Sequence, residues 1–354
     1  MSRGARLAAH SAVSTTLALC SDHQLRELVD TAVPLGSGIG GKSVLMEVAG
    51  RPVFVKRVPL TDLESLPENV RSTANLFGLP AFCQYGIGAI GHPGFGVWRE
   101  LAVHIMTTNW VLGDAYQGFP LLYHWRVLPD TSQSLPEELA DVDRAVAYWG
   151  GGPGIRHRIE ALGRSSASVA LFLEYIPQDL HTWLAERMRT DDANAACSLV
   201  ERELEAGVSF MNARGLLHFD AHFQNILTDG RRLYFTDFGL ALSSRFELSQ
   251  SHADFYDRHR LYDRAYTMTW LVNWLLKDLY DYEREERQVA VRASARGERL
   301  TGIPDAAAAI IARWAPLAAV VSGFNHTFLD ESRETPYPVE EIHRVSEKYG
   351  LPLS

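Results

Sequence analysis

The sequence predicts an α+β protein, with antiparallel strands concentrated in its first half and helices in its second. Three observations predict it. Residues 33–58 alternate β-branched runs with Gly-containing turns, the pattern of a strand meander. Residues 225–236 hold two more short apolar runs on either side of Thr228-Asp229-Gly230, a hairpin signal. From residue 179 onward apolar residues recur at helical spacing, most regularly over 193–214. A chain of 354 residues has room for about two domains, and 46% hydrophobic with 22% charged residues is ordinary for a globular protein. A formal net charge of −9 disfavours a general affinity for nucleic acid or anionic membranes. Cys20, Cys83 and Cys197 are isolated, forming neither a metal spacing nor a disulfide framework, so a reducing cytoplasm is expected. Oligomeric state has no signature.

Each element has its own local reason. Residues 1–24 hold two arginines and a mildly apolar run, but His10, Ser11, Ser14, Thr15 and Thr16 interrupt it. It therefore makes a poor signal peptide and is expected to be an amphipathic or mobile extension. A short helix is expected over 22–29. Strands follow at 44–48 and 53–56, joined by a turn at 49–52. Pro59 and Pro67 leave little room for a helix between them. Residues 76–97, rich in Gly and aromatics, suggest an inserted loop or hairpin. A helix is expected over 99–112, a strand over 119–129 and an accessory helix over 136–149, ended by Gly150-Gly151-Gly152-Pro153. Residues 168–177 are an apolar strand, and 179–189 a helix. Over 193–214, Cys197, Val200, Leu204, Val208 and Met211 form one stripe, with Asp191 or Asp192 to cap it and Gly215 to end it. Residues 268–282 are an apolar helix whose Trp270 and Trp274 are expected in the core. Residues 283–299 are charged, and 306–328 and 339–349 are helical candidates, the first interrupted or kinked at Pro316. Its Ala-rich stretch 306–321 is too short to span a bilayer.

The chemistry concentrates in residues 216–239, LLHFDAHFQNIL followed, after a turn, by LYFTDFG. Phosphoryl transfer from a nucleotide needs a carboxylate to orient the acceptor hydroxyl and oxygen ligands for Mg2+. Asp220, Asn225 and Asp237 are the right types for those tasks. Between the second and third lies the predicted hairpin, which would bring both loops to one end of a small sheet. The ordered set resembles the catalytic and metal-binding segments of the protein-kinase-like superfamily. More narrowly, HFDAHFQN resembles the HxDxHxxN signature of its small-molecule members, the aminoglycoside phosphotransferases and choline kinases.

That resemblance implies a bilobal kinase-like fold: an N-terminal extension over 1–30, a mainly antiparallel β lobe over 31–176 with insertions, and a helical lobe over 177–354. It implies ATP and Mg2+ as nucleotide and metal, with Asp220 positioning the acceptor, and Asn225 and Asp237 holding metal. His218 and His222 belong to the same catalytic loop, His222 bracing it. The stretch GSGIGGKS, residues 36–43, matches two patterns. Letter for letter it is a Walker A loop, which must open a helix. It also carries the G-x-G-x-x-G of a kinase glycine loop, and the strand–turn–strand that follows favours this second reading, although Val44 falls one place late. Gly36, Ser37, Gly38, Gly40 and Gly41 are then nucleotide-binding candidates. Lys56, one of only four lysines, becomes the phosphate-binding lysine. Its orienting carboxylate is expected to be Glu100, with Glu64 and Glu68 as rivals. Residues Glu174, Tyr175 and Ile176 match the interlobe hinge whose backbone would bind adenine. Phe219 stands where many protein kinases have Arg, and no Ala-Pro-Glu segment follows Gly239, so a small-molecule acceptor is expected. A Ser/Thr protein kinase with a reduced activation segment and a catalytically silent nucleotide-binding scaffold are the alternatives.

Overall fold

The meander forms, and strand alternation decides what each of its faces meets. A computed structural model describes residues 2–38, 41–88, 90–131 and 135–351, and its architecture is α+β. Two helices come first, α1 (Arg3–Ala18) and α2 (Asp22–Asp30). Strands β1 (Val33–Gly38), β2 (Gly41–Val48) and β3 (Arg51–Leu60) follow. Next come α3 (Asp62–Ser65), α4 (Val97–Leu112), β4 (Leu122–Pro129), α5 (Glu137–Ala140), α6 (Val142–Tyr148), α7 (Pro153–Arg164) and β5 (Ala167–Glu174). The five strands make one antiparallel sheet in the order β1-β2-β3-β5-β4.

Along β3, Phe54, Lys56, Val58 and Leu60 face one way and Val53 and Val55 the other, as period-two alternation requires. Val58 and Leu60 join Val169, Leu171, Val97, Trp98 and Leu101 in a core beneath α4. Val53 and Val55 pack with Met46, Ala170 and Phe172 against Val13, Leu17, Leu25 and Val29 of α1 and α2. Residues 2–30 are thus a fixed layer over the sheet, the amphipathic and not the mobile form of the expected extension. The polar interruptions explain why this works. Ser11, Thr15 and Thr16 lie on the exposed side of α1, while Arg6, Ala9, Val13 and Leu17 line its buried face.

Residues after β5 are mainly helical. They comprise β6 (Gln178–Asp179), α8 (Leu180–Arg187), α9 (Ala193–Ala213), β7 (Leu216–Leu217), β8 (Ile226–Thr228), β9 (Leu233–Phe235) and β10 (Leu242–Ser243). Helices α10 (Gln250–Arg258), α11 (Tyr262–Tyr280), α12 (Arg284–Ala295), α13 (Asp305–Asp330) and α14 (Val339–Tyr349) complete the chain. The stripe of α9 is buried as expected, and β8 and β9 form the predicted hairpin.

Several boundaries moved for identifiable reasons. The accessory helix is split at Asp141, whose carboxylate accepts from the Arg144 amide and starts α6 afresh. Helix α7 was not anticipated; it begins with Pro153 at its first position, after the run of glycines. Helix α13 runs 26 residues through Pro316 and is long and apolar enough to cross a membrane, unlike the shorter stretch read from the sequence. Most of its apolar surface is instead buried against α9, α11 and α12. Among the described residues of 76–97 there is no hairpin: apart from one 3-10 turn at Ala81–Gln84 and the first residue of α4 they are irregular.

Candidate active site

The glycine-rich segment is a β-hairpin. Ser37 pairs with Lys42 and Gly38 with Gly41, the tip including Gly40 lying outside the described residues. Lys42 therefore sits on an exposed strand facing Arg57, and no helix follows it, which removes the Walker alternative. Gly41 has φ of 110°, and a Cβ there would run into the Arg57 carbonyl, so the residue has to be glycine.

Lys56 is buried beneath this hairpin. Its Nζ lies 2.8 Å from Glu100 Oε1 and 2.8 Å from Asp237 Oδ1, joining residues 44 and 181 positions away. Burial opposes the ammonium charge, but the Asp237 and Glu100 carboxylates overcome it and hold Lys56 above its usual value. Desolvation likewise acts to raise Asp237, and the Lys56 ammonium outweighs it, bringing that carboxyl down to about 2. The rivals of Glu100 are elsewhere. Glu64 accepts from Arg158 Nη1 at 2.9 Å and from the Val97 amide at 2.9 Å, so it caps α4 rather than meeting Lys56. Glu68 is exposed.

Asp220 and Asn225 belong to a tight loop. The His222 amide donates to the Asp220 carbonyl and the Asn225 amide to the His222 carbonyl, both at 2.9 Å. Asn225 Nδ2 donates to Asp220 Oδ2 at 3.0 Å, while its Oδ1 takes no hydrogen bond among the described residues. Burial first, and then the neighbouring Asp237 carboxylate, push the Asp220 carboxyl well above its ordinary value. His218 is fully buried. Its Nδ1 accepts from the Asp220 amide at 3.4 Å, so Nε2 carries the proton that goes to the Thr236 carbonyl, 2.9 Å away. Burial brings its pKa down to about 4, so it stays neutral and ties the Asp220 loop to the end of β9. His222 Nε2 stands 3.8 Å from Asp220 Oδ1, with its ring tilted over Trp270.

Two residues in this region have left-handed backbones without being glycine: Phe219 at φ 64° and Asp237 at φ 58°. The first is moored by a residue that motif reasoning missed. Asp263, at the start of α11, is buried and accepts from the His218 amide at 2.5 Å and the Phe219 amide at 2.8 Å. Burial raises its pKa to about 6, against the lowering effect of those two amides. The only available signal was an acidic residue one turn ahead of a strongly apolar helix. Phe219 itself stacks on Tyr262, with ring centroids 4.6 Å apart, in an aromatic cluster that includes Phe255 and Tyr85.

The irregular segment 76–97 folds back onto the same loop. The Gly86 amide donates to the Phe219 carbonyl at 3.2 Å, and Tyr266 Oη donates to the Gly86 carbonyl at 3.0 Å. A Cβ on Gly86 would collide with Asp220 Oδ1 and the Phe219 carbonyl. Gly86→Ala is therefore expected to displace the Asp220 carboxylate and to lower turnover on the order of tenfold to a hundredfold. The measurement is the initial rate beside an unfolding curve, in which stability should fall by about 1–3 kcal/mol because the Phe219 carbonyl is backbone. The end of the expected accessory helix and the unanticipated α7 support this segment: Trp149 Nε1 donates to the Gly91 carbonyl and Arg158 Nε to the Pro93 carbonyl, at 2.9 and 3.0 Å.

Three cavities run side by side through these residues. One of about 320 Å3 lies between the hairpin and the end of β5, lined by Leu35, Phe54, Lys56, Tyr175 and Ile176, and reaches Asn225 and Asp237. A second of about 330 Å3 shares Asn225 and Asp237 with it and extends to Asp220. A third of about 720 Å3 opens from Asp220 and His222 toward α11 and α12. Both Trp270 and Trp274 line this third cavity; Trp274 is buried in the core as expected, whereas Trp270 is only partly buried, because one side of α11 remains uncovered. At the first cavity the backbone of Tyr175 and Ile176 is at hand, but Glu174 has no side chain or amide to offer. Its amide donates to the Leu121 carbonyl at 2.8 Å, and its carboxylate is held by Arg6.

Among the described residues no three His, Cys, Asp or Glu side chains converge as a metal cluster. Asp237 and Asn225 nevertheless suit Mg2+, which takes one or two protein oxygen ligands and completes its shell with water and phosphate. No protein-family model and no curated protein matches the chain.

Proposed function

We propose that the chain is an ATP-dependent phosphotransferase with a two-lobed kinase-like arrangement, moving the γ-phosphate to the hydroxyl of a small molecule. The observation that carries this is Lys56, its ammonium bridging Glu100 and Asp237 at 2.8 Å each, where an apolar cavity meets the Asp220 loop. A lysine of raised basicity on a rigid strand is a fixed point charge for phosphate oxygens. Tyr175 and Ile176 offer backbone groups at the far end of the first cavity, the place for a base, and Leu35 and Phe54 offer apolar walls.

In this reading Mg2+, held by Asp237 and Asn225, would supply neutralising charge to the phosphates. Asp220 lies on the other side, where the third cavity begins. Its carboxylate orients the acceptor hydroxyl and takes the proton late, as the new O–P bond forms and the bond from the γ-phosphorus to the β–γ bridging oxygen breaks, releasing ADP. His218 holds Asp220 from behind through the Asp220 amide. A small acceptor is favoured because residues 86–88 and 90–92, anchored on the loop at Gly86, wall the third cavity on one side.

The test is a nucleotide titration with and without Mg2+. The unmodified protein is expected to bind ATP more tightly with the metal, and Asp237→Ala to lose that difference, with affinity falling on the order of tenfold or more. Metal-independent binding that is the same in both proteins would overturn the assignment. Transfer of labelled phosphate to the protein itself or to other proteins would move the acceptor from small molecules to polypeptides.

A further inference from the structure

We propose that the third cavity takes a hydroxyl compound with a flat aromatic or conjugated body and an anionic substituent, and discriminates against polyamines. The inference rests on the phosphotransferase reading only in naming the ligand as the acceptor. At about 720 Å3 the cavity has the volume of a drug-sized ligand. Tyr266, Trp270 and Trp274 are spaced four residues apart on α11, so their rings form a ladder along one wall. The Tyr266 and Trp270 rings are nearly parallel, 28° apart with centroids 6.0 Å apart. Trp274 is fixed by its Nε1, which donates to His181 Nδ1 at 2.9 Å. Such a wall offers stacking area to a flat body.

Polar atoms on the same wall are left over. Thr269 Oγ1 and Trp270 Nε1 are buried and have no hydrogen-bond partner among the described residues. Each costs free energy unpaired, and an indole N–H can only donate, so an acceptor oxygen is what this wall lacks. Charge points the same way. Of the three cationic residues lining the cavity, Lys277 is neutralised by Asp281 and Glu283, and Arg284 by Asp330. Arg287 has none: its Nη1 donates to the Tyr282 carbonyl at 2.9 Å, and no carboxylate approaches it among the described residues. A guanidinium in this position is suited to bind a carboxylate or phosphate. Among the described residues Glu138 is the single carboxylate lining the cavity besides Asp220. A polyamine would need an acidic partner for each ammonium, and these walls do not provide them.

Calorimetric titration of the 354-residue chain with para-hydroxymethylbenzoate, its methyl ester and para-hydroxymethylbenzylamine tests this. The benzoate is expected to bind about tenfold more tightly than the other two. Arg287→Met should bring it down to the level of the ester while leaving the ester unchanged, and Trp270→Ala should weaken all three. Equal or tighter binding of the amine overturns the proposal, as does an unchanged benzoate affinity in Arg287→Met or no detectable benzoate binding. ADP release with the same probes separates the two levels. Selective benzoate binding without any metal-dependent ATP binding supports the cavity's preference and removes phosphotransfer. ADP release only with the amine keeps phosphotransfer and removes the preference.

Discussion

Asp220→Asn is expected to lower turnover on the order of 10²–10⁴-fold while leaving Mg2+-dependent ATP binding intact. The asymmetry follows from geometry. Asp220 reaches the second and third cavities, whereas Lys56 and the hinge-like backbone of Tyr175 and Ile176 line the first. An amide in place of the carboxylate has the same shape and can still accept from Asn225 Nδ2, so the loop is expected to persist. It cannot take a proton from the acceptor. ADP release measured beside a nucleotide titration checks both halves. Undiminished turnover would remove Asp220 from its role, and lost nucleotide binding would show that it holds the loop rather than the acceptor.

Arg6→Ala is expected to destabilise the protein by about 3–5 kcal/mol, the usual cost of leaving one partner of a buried ion pair behind. Arg6 is buried and makes every hydrogen bond its guanidinium allows. Nη2 donates to Glu174 Oε2 at 2.6 Å and to the Phe119 carbonyl at 2.6 Å, Nε to Glu174 Oε1 at 3.0 Å, and Nη1 to the Gln117 carbonyl and Oε1 at 3.0 Å each. The guanidinium also lies 5.4 Å from the ring centroid of Tyr234 in β9. One side chain thus ties α1 to the end of β5, to the 117–119 turn and to the β8–β9 hairpin. Without it, the Leu121 amide is the one donor left to the buried Glu174 carboxylate among the described residues. Urea unfolding of Arg6→Ala and of Arg6→Met with Glu174→Leu separates causes. The double variant should be more stable than the single one, because it removes the abandoned charge. A single variant with an unchanged unfolding midpoint would contradict this account.

What was legible in the sequence was local or followed a periodic rule. The meander of β1–β3 is written in β-branched runs and glycines, and alternation along β3 put Lys56 on the face that meets α4. The stripe of α9 and the turn at Thr228–Gly230 are equally short-range. Glu100 meets Lys56 and Glu64 does not, because a carboxylate in the first turn of a long helix can be carried to the sheet. Glu64 had no visible reason to be excluded, since Arg158, its partner, lies 94 residues away on a helix that was not anticipated. The placement of segment 76–97 was hidden for a similar reason. It has few internal hydrogen bonds, and its position depends on Trp149, Arg158, Phe219 and Tyr266.

By itself, then, the sequence determined which segments become strands and helices, and which oxygen-bearing and basic side chains stand at the ends of strands. Those choices are set by backbone propensity, turn chemistry and hydrophobic period, which act over a few residues. Only the tertiary structure decided which lone polar residues would be buried together: Arg6 with Glu174, Glu64 with Arg158, Asp263 with the amides of His218 and Phe219. It also decided that Trp270 should line a cavity and not the core. A buried charge or an uncovered ring is settled by whatever surrounds it in space, and a partner distant in the chain leaves no mark on the residues nearby.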